Sequence, residues 1–238
     1  MSLFSEKSDR RSFSDVIKEN RLSRMATDLE DRVLSQTVYN AIIGGVVLYG
    51  IIVNYLICKY FDMSELTNPI PLFIFYFIFC IGGTLIVNYS HNPLISFLGY
   101  NMIVVPMGFV ISVAVNIYAG INPEIVTSAV FYTGVVTILV VLAAIIFPQF
   151  FSRLGSALLV GLTIALIFSL FSFIIKLSFL TYIFALIFAL YIGYDFYRSQ
   201  QYTYTVDNAI DSATDIYVDI MNLFIRLLSI IARAKADD

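Results

Sequence analysis

From residue 40 onward the chain alternates long apolar runs with short polar interruptions. Seven runs stand out: 40–58, 70–89, 94–118, 124–147, 154–175, 177–197 and 213–232. A helix needs about 20 mostly apolar residues to cross roughly 30 Å of hydrocarbon. Each run therefore predicts a membrane-spanning helix, and together they predict an all-α polytopic membrane domain over residues 40–235. Prolines mark the ends of the runs. Pro69 and Pro71 open the second, Pro93 the third and Pro123 the fourth, while Pro148 closes the fourth. A first helical turn tolerates proline because the missing N–H has no partner there anyway. Only Pro106 falls inside a run, which predicts a kink in the third helix.

Residues 154–194 contain one charge, Lys176. As a single helix they would measure about 60 Å at 1.5 Å per residue, twice the bilayer. They are expected to form a hairpin of two helices turning near Lys176. Gly44–Gly45 and Gly82–Gly83 are expected to permit close helix approach. Ahead of the first run the pattern changes. Phe13, Val16, Ile17, Leu22, Met25, Leu29 and Val33 recur at mostly helical spacing with charges between them. Residues 1–39 therefore read as a cytoplasmic amphipathic segment, solvated or lying in the interface. No short apolar stretch with a small-residue cleavage site precedes residue 40, so the first span is expected to remain as an anchor.

Composition sharpens this picture. The 238 residues are 59% hydrophobic and 13% charged, with a mean hydropathy of +0.86. Soluble domains carry about 45–50% apolar and about 25% charged residues. The balance argues against a soluble enzyme, a disordered chain and a nucleic-acid binder. Residues 1–39 hold seven of the 14 Lys/Arg and seven of the 17 Asp/Glu. With seven spans and the N-terminus inside, Arg153 and Arg198 join those seven basic residues on the inner side. Lys59, Lys176, Arg233 and Lys235 fall outside. That excess predicts a cytoplasmic N-terminus. The last segment is the exception to simple hydropathy, because it contains Arg226 and begins with acids, so it could span, tilt or re-enter.

Few ionisable residues are left within the spans, and each needs a reason, since an unpaired Asp or Arg at mid-membrane costs about 2.5–3.5 kcal/mol on insertion scales. One group is Tyr191-Ile192-Gly193-Tyr194-Asp195-Phe196-Tyr197 at the inner end of the sixth span. The other is the last segment, where Asp211, Asp215, Asp219, Asn222, Arg226, Ser229 and Arg233 recur at three and four. They form one stripe of a helix, expected to face the bundle interior or a water-filled path. Asp195 and Asp219 fall on the same half of the membrane. If they meet, two poorly solvated carboxylates share a proton and titrate as a unit, a pH sensor. When both ionise they offer an oxygen-rich site suited to a hard cation such as Ca²⁺. The plainer reading has Asp195 ending its helix at the interface. It has Asp215 and Asp219 near headgroups at a helix N-terminus, and Arg226 pairing with Asp219 or snorkelling outward. Asp207 and Asp211 read as solvated loop or cap residues. His91, in the loop Asn88–Pro93, is either a loop residue beside an N-capping Asn92 or a titratable partner for the acidic cluster.

Two cysteines, Cys58 and Cys80, do not suggest a disulfide framework. A single histidine excludes zinc sites that need two. No tightly bound cofactor is expected.

Around Tyr194-Asp195 and the stretch Asp215-Ile216-Tyr217-Val218-Asp219-Ile220-Met221-Asn222-Leu223-Phe224-Ile225-Arg226-Leu227-Leu228, the chain resembles the Bax inhibitor-1 family, as a bacterial member. The interval between Asp195 and Asp219 fits as well. The hydropathy likeness covers residues 30–235, while the specific motifs lie in the last 45 residues or so. The resemblance implies seven transmembrane helices with the last at the centre. It also implies a pH-dependent calcium leak in a bacterial plasma membrane, with calcium as the permeant ion. The family's paired aspartates fall on Asp195 and Asp219, which would share a proton when closed and separate on opening. Some bacterial members carry an acid in the second helix and arginines just after it as a latch. Here residues 70–89 hold no charge, and His91 is the nearest candidate. Relatives that bind a membrane protease raise the expectation of a membrane-protein partner, and a non-conducting regulator is the main alternative. An intramembrane aspartyl protease also uses Tyr-Asp and a second Asp, but within Gly-x-Gly-Asp; here Tyr217-Val218 precedes Asp219. Glycine lets a substrate strand approach, so the expectation is that this is not an enzyme.

Overall fold

The computed structural model describes residues 33–61, 68, 70–175 and 179–236, with side chains described except over 169–175. The amphipathic pattern before residue 33 and the turn at Lys176 lie outside this set. Among the described residues there are eight helices and no strand. They are α1 (Gln36–Tyr60), α2 (Ile70–Tyr89), α3 (Pro93–Ile121), α4 (Pro123–Ile146), α5 (Pro148–Ser152), α6 (Leu154–Ile175), α7 (Leu180–Ser199) and α8 (Val206–Ala236). By length and apolarity α1, α2, α3, α4 and α7 are able to cross a membrane, and α6 carries the shorter apolar run Leu154–Phe168. The protein is thus an all-helical, multi-pass membrane protein. The last helix departs from the simple hydropathy expectation. It starts seven residues before the predicted 213 and runs for 31 residues, about 46 Å at 1.5 Å per residue. It is too polar to be recognised as a span by apolarity alone.

Helix starts follow from local chemistry. Asn92 and Asn122 each precede a proline and accept a backbone N–H through Oδ1, from Leu94 at 3.0 Å and Glu124 at 2.9 Å. This Asn-Pro start satisfies one orphan donor, and the proline needs none. Helix α3 runs through Pro106 as one element. Pro148 does more than close α4: it opens the five-residue α5, which the hydropathy runs did not predict. Helices α6 and α7 form the hairpin that length required.

In lipid, helices associate through close packing of small residues rather than by escaping water. A Cβ built on Gly83 of α2 would lie 2.5 Å from the Gly99 carbonyl oxygen of α3, and one on Gly99 would lie 2.9 Å from the Gly83 oxygen. That half of the glycine expectation holds. Gly44 and Gly45 correct the other half, because a Cβ on either meets nothing within 4 Å. The close approach on α1 is instead at Gly50, where a Cβ would lie 2.2 Å from Tyr100 Oη.

Helix α8 packs on α1, α3, α4 and α7. Its buried residues include Ala209, Ala213, Ile216, Tyr217, Leu223 and Leu228, and its first half is buried on nearly every side. The helix with the most ionisable residues is therefore the one packed against four others, as expected where lipid cannot solvate charge. Cys58 and Cys80 are free and half-buried.

Candidate functional site

The end of α7 is seated by two glycine contacts. A Cβ on Gly193 would lie 2.2 Å from Phe151 Cε1 of α5 and 2.7 Å from Val140 Cγ1 of α4. One on Gly155 of α6 would meet Tyr194 Oη at 2.4 Å. These contacts fix the rotation of α7. Ile192, Asp195 and Ser199, spaced three and four apart and all buried, then share the inner face.

Tyr39 of α1 ties this end of α7 to the start of α8. Its hydroxyl lies 3.1 Å from the Ser199 carbonyl oxygen, 3.3 Å from that of Asn208 and 3.1 Å from Ser212 Oγ. The Tyr204 ring stacks on Tyr39 at 4.7 Å, and the Leu34 N–H donates to the Tyr204 carbonyl at 2.7 Å. This cover corrects the expectation for Asp207 and Asp211. They are 5% and 1% exposed, not solvated. The connection after α7 folds over the first turn of α8, and Ser96 Oγ of α3 donates to Asp207 Oδ1 at 2.7 Å.

Deeper along the same interface the acids of α7 and α8 come together. Asp195 and Asp219 are each 7% exposed, and the Asp219 carboxyl lies within hydrogen-bonding reach of that of Asp195. Asp219 Oδ2 is buried and receives no donor among the described residues. Two carboxyls within such reach can hydrogen-bond to each other only when one of them carries a proton, because neither can donate when both are ionised. Arg198, one turn after Asp195, supplies the nearby cation. Its Nη2 is 3.2 Å from Asp195 Oδ1 and also pairs with Asp215 Oδ2. Two carboxyls thus share one guanidinium, with the Asp219 carboxyl beside them. Exposure grades outward along the cluster: the Asp195 side chain is 8% exposed, that of Arg198 23% and that of Asp215 36%. Asp215 is the outermost acid and Asp219 lies behind the pair. The Tyr191 side chain, one turn before Asp195, is close enough to feel both inner carboxyls.

The rest of the predicted stripe does not join this cluster. Asn222 returns its Nδ2 to the Val218 carbonyl of its own helix at 2.9 Å. Arg226 places its guanidinium over the Phe184 ring of α7, 4.6 Å from the centroid, rather than pairing with Asp219. Its Nε is buried with no hydrogen-bond partner among the described residues. His91 is exposed in the connection between α2 and α3. At the far end of α8, Lys235 pairs with Glu124 at the start of α4.

Sequence reasoning missed two residues. Arg198 entered only as an inner-side cation, although a position three after Asp195 on a helix shares its face. Asn54 was passed over inside an apolar span. Its Nδ2 donates to Tyr217 Oη at 2.6 Å and lies 3.4 Å from Met221 Sδ. The signal was available, since a lone amide within a membrane helix tends to face the bundle. Among the described residues no group of three or more His, Cys, Asp or Glu side chains is placed to hold a metal ion.

Residues 31–236 match the family model described as Inhibitor of apoptosis-promoting Bax1. The match takes in most of the chain, so the protein belongs to the Bax inhibitor-1 family. No individually curated protein matches it.

Proposed function

We propose that this Bax inhibitor-1 family protein is a pH-gated leak for calcium, with Asp195 and Asp219 as its proton-sharing sensor. One observation carries the reading: two buried carboxyls from neighbouring helices lie within hydrogen-bonding reach, and Asp219 Oδ2 has no donor among the described residues. A proton held between them joins α7 to α8. Raising the pH removes it and leaves two like charges facing each other where little water screens them. The helices then separate, and the ionised oxygens receive a hard cation in passing. Two carboxylates fall short of the six to eight oxygens that Ca²⁺ takes, which suits transit better than residence. Asp215, the outermost acid, would meet the ion first. The reading keeps seven spanning helices, with α8 the seventh, in a bacterial plasma membrane with a cytoplasmic N-terminus. It keeps the protein outside the enzymes, since Ile216 and Val218 stand where the Gly-x-Gly-Asp motif of an aspartyl protease has its two glycines.

The test is calcium flux into dye-loaded proteoliposomes over pH 5–8. Wild-type flux is expected to rise with pH. In Asp219→Asn the amide donates to Asp195 permanently, so flux should stay low and flat. Asp195→Asn should also flatten the profile. Absence of flux at every pH would instead favour a non-conducting regulator of another membrane protein. Flux unchanged by either substitution would make the acids structural.

A further inference from the structure

A crevice of about 480 Å³ opens between α1 and α4, within the range of about 300–1,000 Å³ typical of ligand pockets. Met221 and Phe224 of α8 contribute to its lining. Both walls are membrane-crossing helices, so its mouth faces hydrocarbon rather than water. Nearly all of its open lining is apolar, which suits a hydrocarbon chain better than ordered water. Among the described residues the one charged side chain in the lining is Lys59, in the last turn of α1. Its ammonium lies 5.9 Å and 5.4 Å from the Tyr55 and Tyr60 ring centroids. From Lys59 to Ile51 the crevice follows α1 for about 12 Å.

We infer that this crevice holds one acyl chain of an anionic phospholipid, with the headgroup on Lys59. An apolar slot along a helix axis takes the chain, and a single cation at its membrane-surface end selects the negative headgroup. Gly134 of α4 also lines the slot, and a Cβ there meets nothing within 4 Å. A larger side chain at 134 would start from open space at its Cβ and extend into the slot. The bound chain rests on α8 just beyond Asp219, so it braces the helix that carries the buried acid. The inference concerns lipid binding and does not depend on transport.

Native mass spectrometry of the purified full-length chain tests it, with phosphatidylglycerol and phosphatidylcholine of matched chains offered at equal concentration. One retained phosphatidylglycerol is expected, preferred about five-fold, as one lysine near an anionic headgroup supplies. Lys59→Gln should abolish the preference, while Lys235→Gln should leave it intact. Gly134→Leu should lose the retained lipid of either headgroup while melting as wild type does. If that variant does not fold, Val130→Trp fills the same mouth from a position that is 58% exposed. No preference in wild type would overturn the inference. So would a preference that survives Lys59→Gln, or retention undiminished in the filled variant.

Discussion

Replacing Arg198 by glutamine removes the cation that pairs with Asp195 and Asp215 and keeps neutral donors in its place. Breaking a fully buried pair by deleting one partner costs about 3–5 kcal/mol, and exposed pairs contribute about 0–1 kcal/mol. The Arg198 side chain is 23% exposed, with partners at 8% and 36%, so the cost falls between these limits, about 2 kcal/mol. For a chain of this size that lowers Tm by about 4–8 °C. The protein has no tryptophan, but its two free cysteines are half-buried, so a thiol-reactive dye in a heating ramp reports unfolding. The sign of the pH effect follows from the cause. The penalty comes from carboxylates left without a counter-charge, and protonating them removes it. The deficit should therefore be largest near pH 7 and shrink toward pH 5. Adding Asp215→Asn to the arginine variant should recover part of the loss at pH 7. A melting temperature equal to wild type at pH 7, or a deficit that ignores pH, would refute the reasoning.

Gly193→Ala should destabilise by about 1–3 kcal/mol through overpacking, because its new methyl would meet the Phe151 ring; Gly44→Ala, facing open space, should melt as wild type does in the same dye assay. His91→Ala should leave the pH profile of calcium flux unchanged if the aspartate pair alone senses protons; a shifted profile would bring the exposed loop histidine into the sensor.

Much of this architecture is readable from hydropathy because the membrane imposes a simple rule: a long apolar run with no charge must be a helix. Five of the predicted spans appear as apolar helices, and the α6–α7 hairpin was dictated by length alone. The rule fails where burial comes from neighbours rather than from composition. Helix α8 begins at Val206, well before its apolar stretch, because Tyr39, Tyr204 and the connection after α7 cover its acidic first turn. For the same reason Asp207 and Asp211 looked solvated and are buried. The three- and four-residue spacing on α8 marked the face that meets α7, but spacing cannot say which polar group on that face finds which partner. Arg226 had two expected fates, and the aromatic ring of Phe184 supplied a third. Arg198 took the role of counter-ion because it shares a helix face with Asp195, a relation visible only once the helix is known to continue to Ser199. Glycine pairs misled in a similar way: Gly83 packs on a neighbour's backbone, while Gly44 and Gly45 face outward, and no local pattern separates them.

Infrared difference spectra of the reconstituted protein, stepped between pH 5 and pH 8, test directly whether Asp195 and Asp219 hold a proton in common. The account predicts a protonated-carboxyl stretch in wild type that is lost in one cooperative step as the pH rises and is missing from Asp219→Asn. Identical spectra for wild type and that variant, or two carboxyls titrating independently, would contradict it.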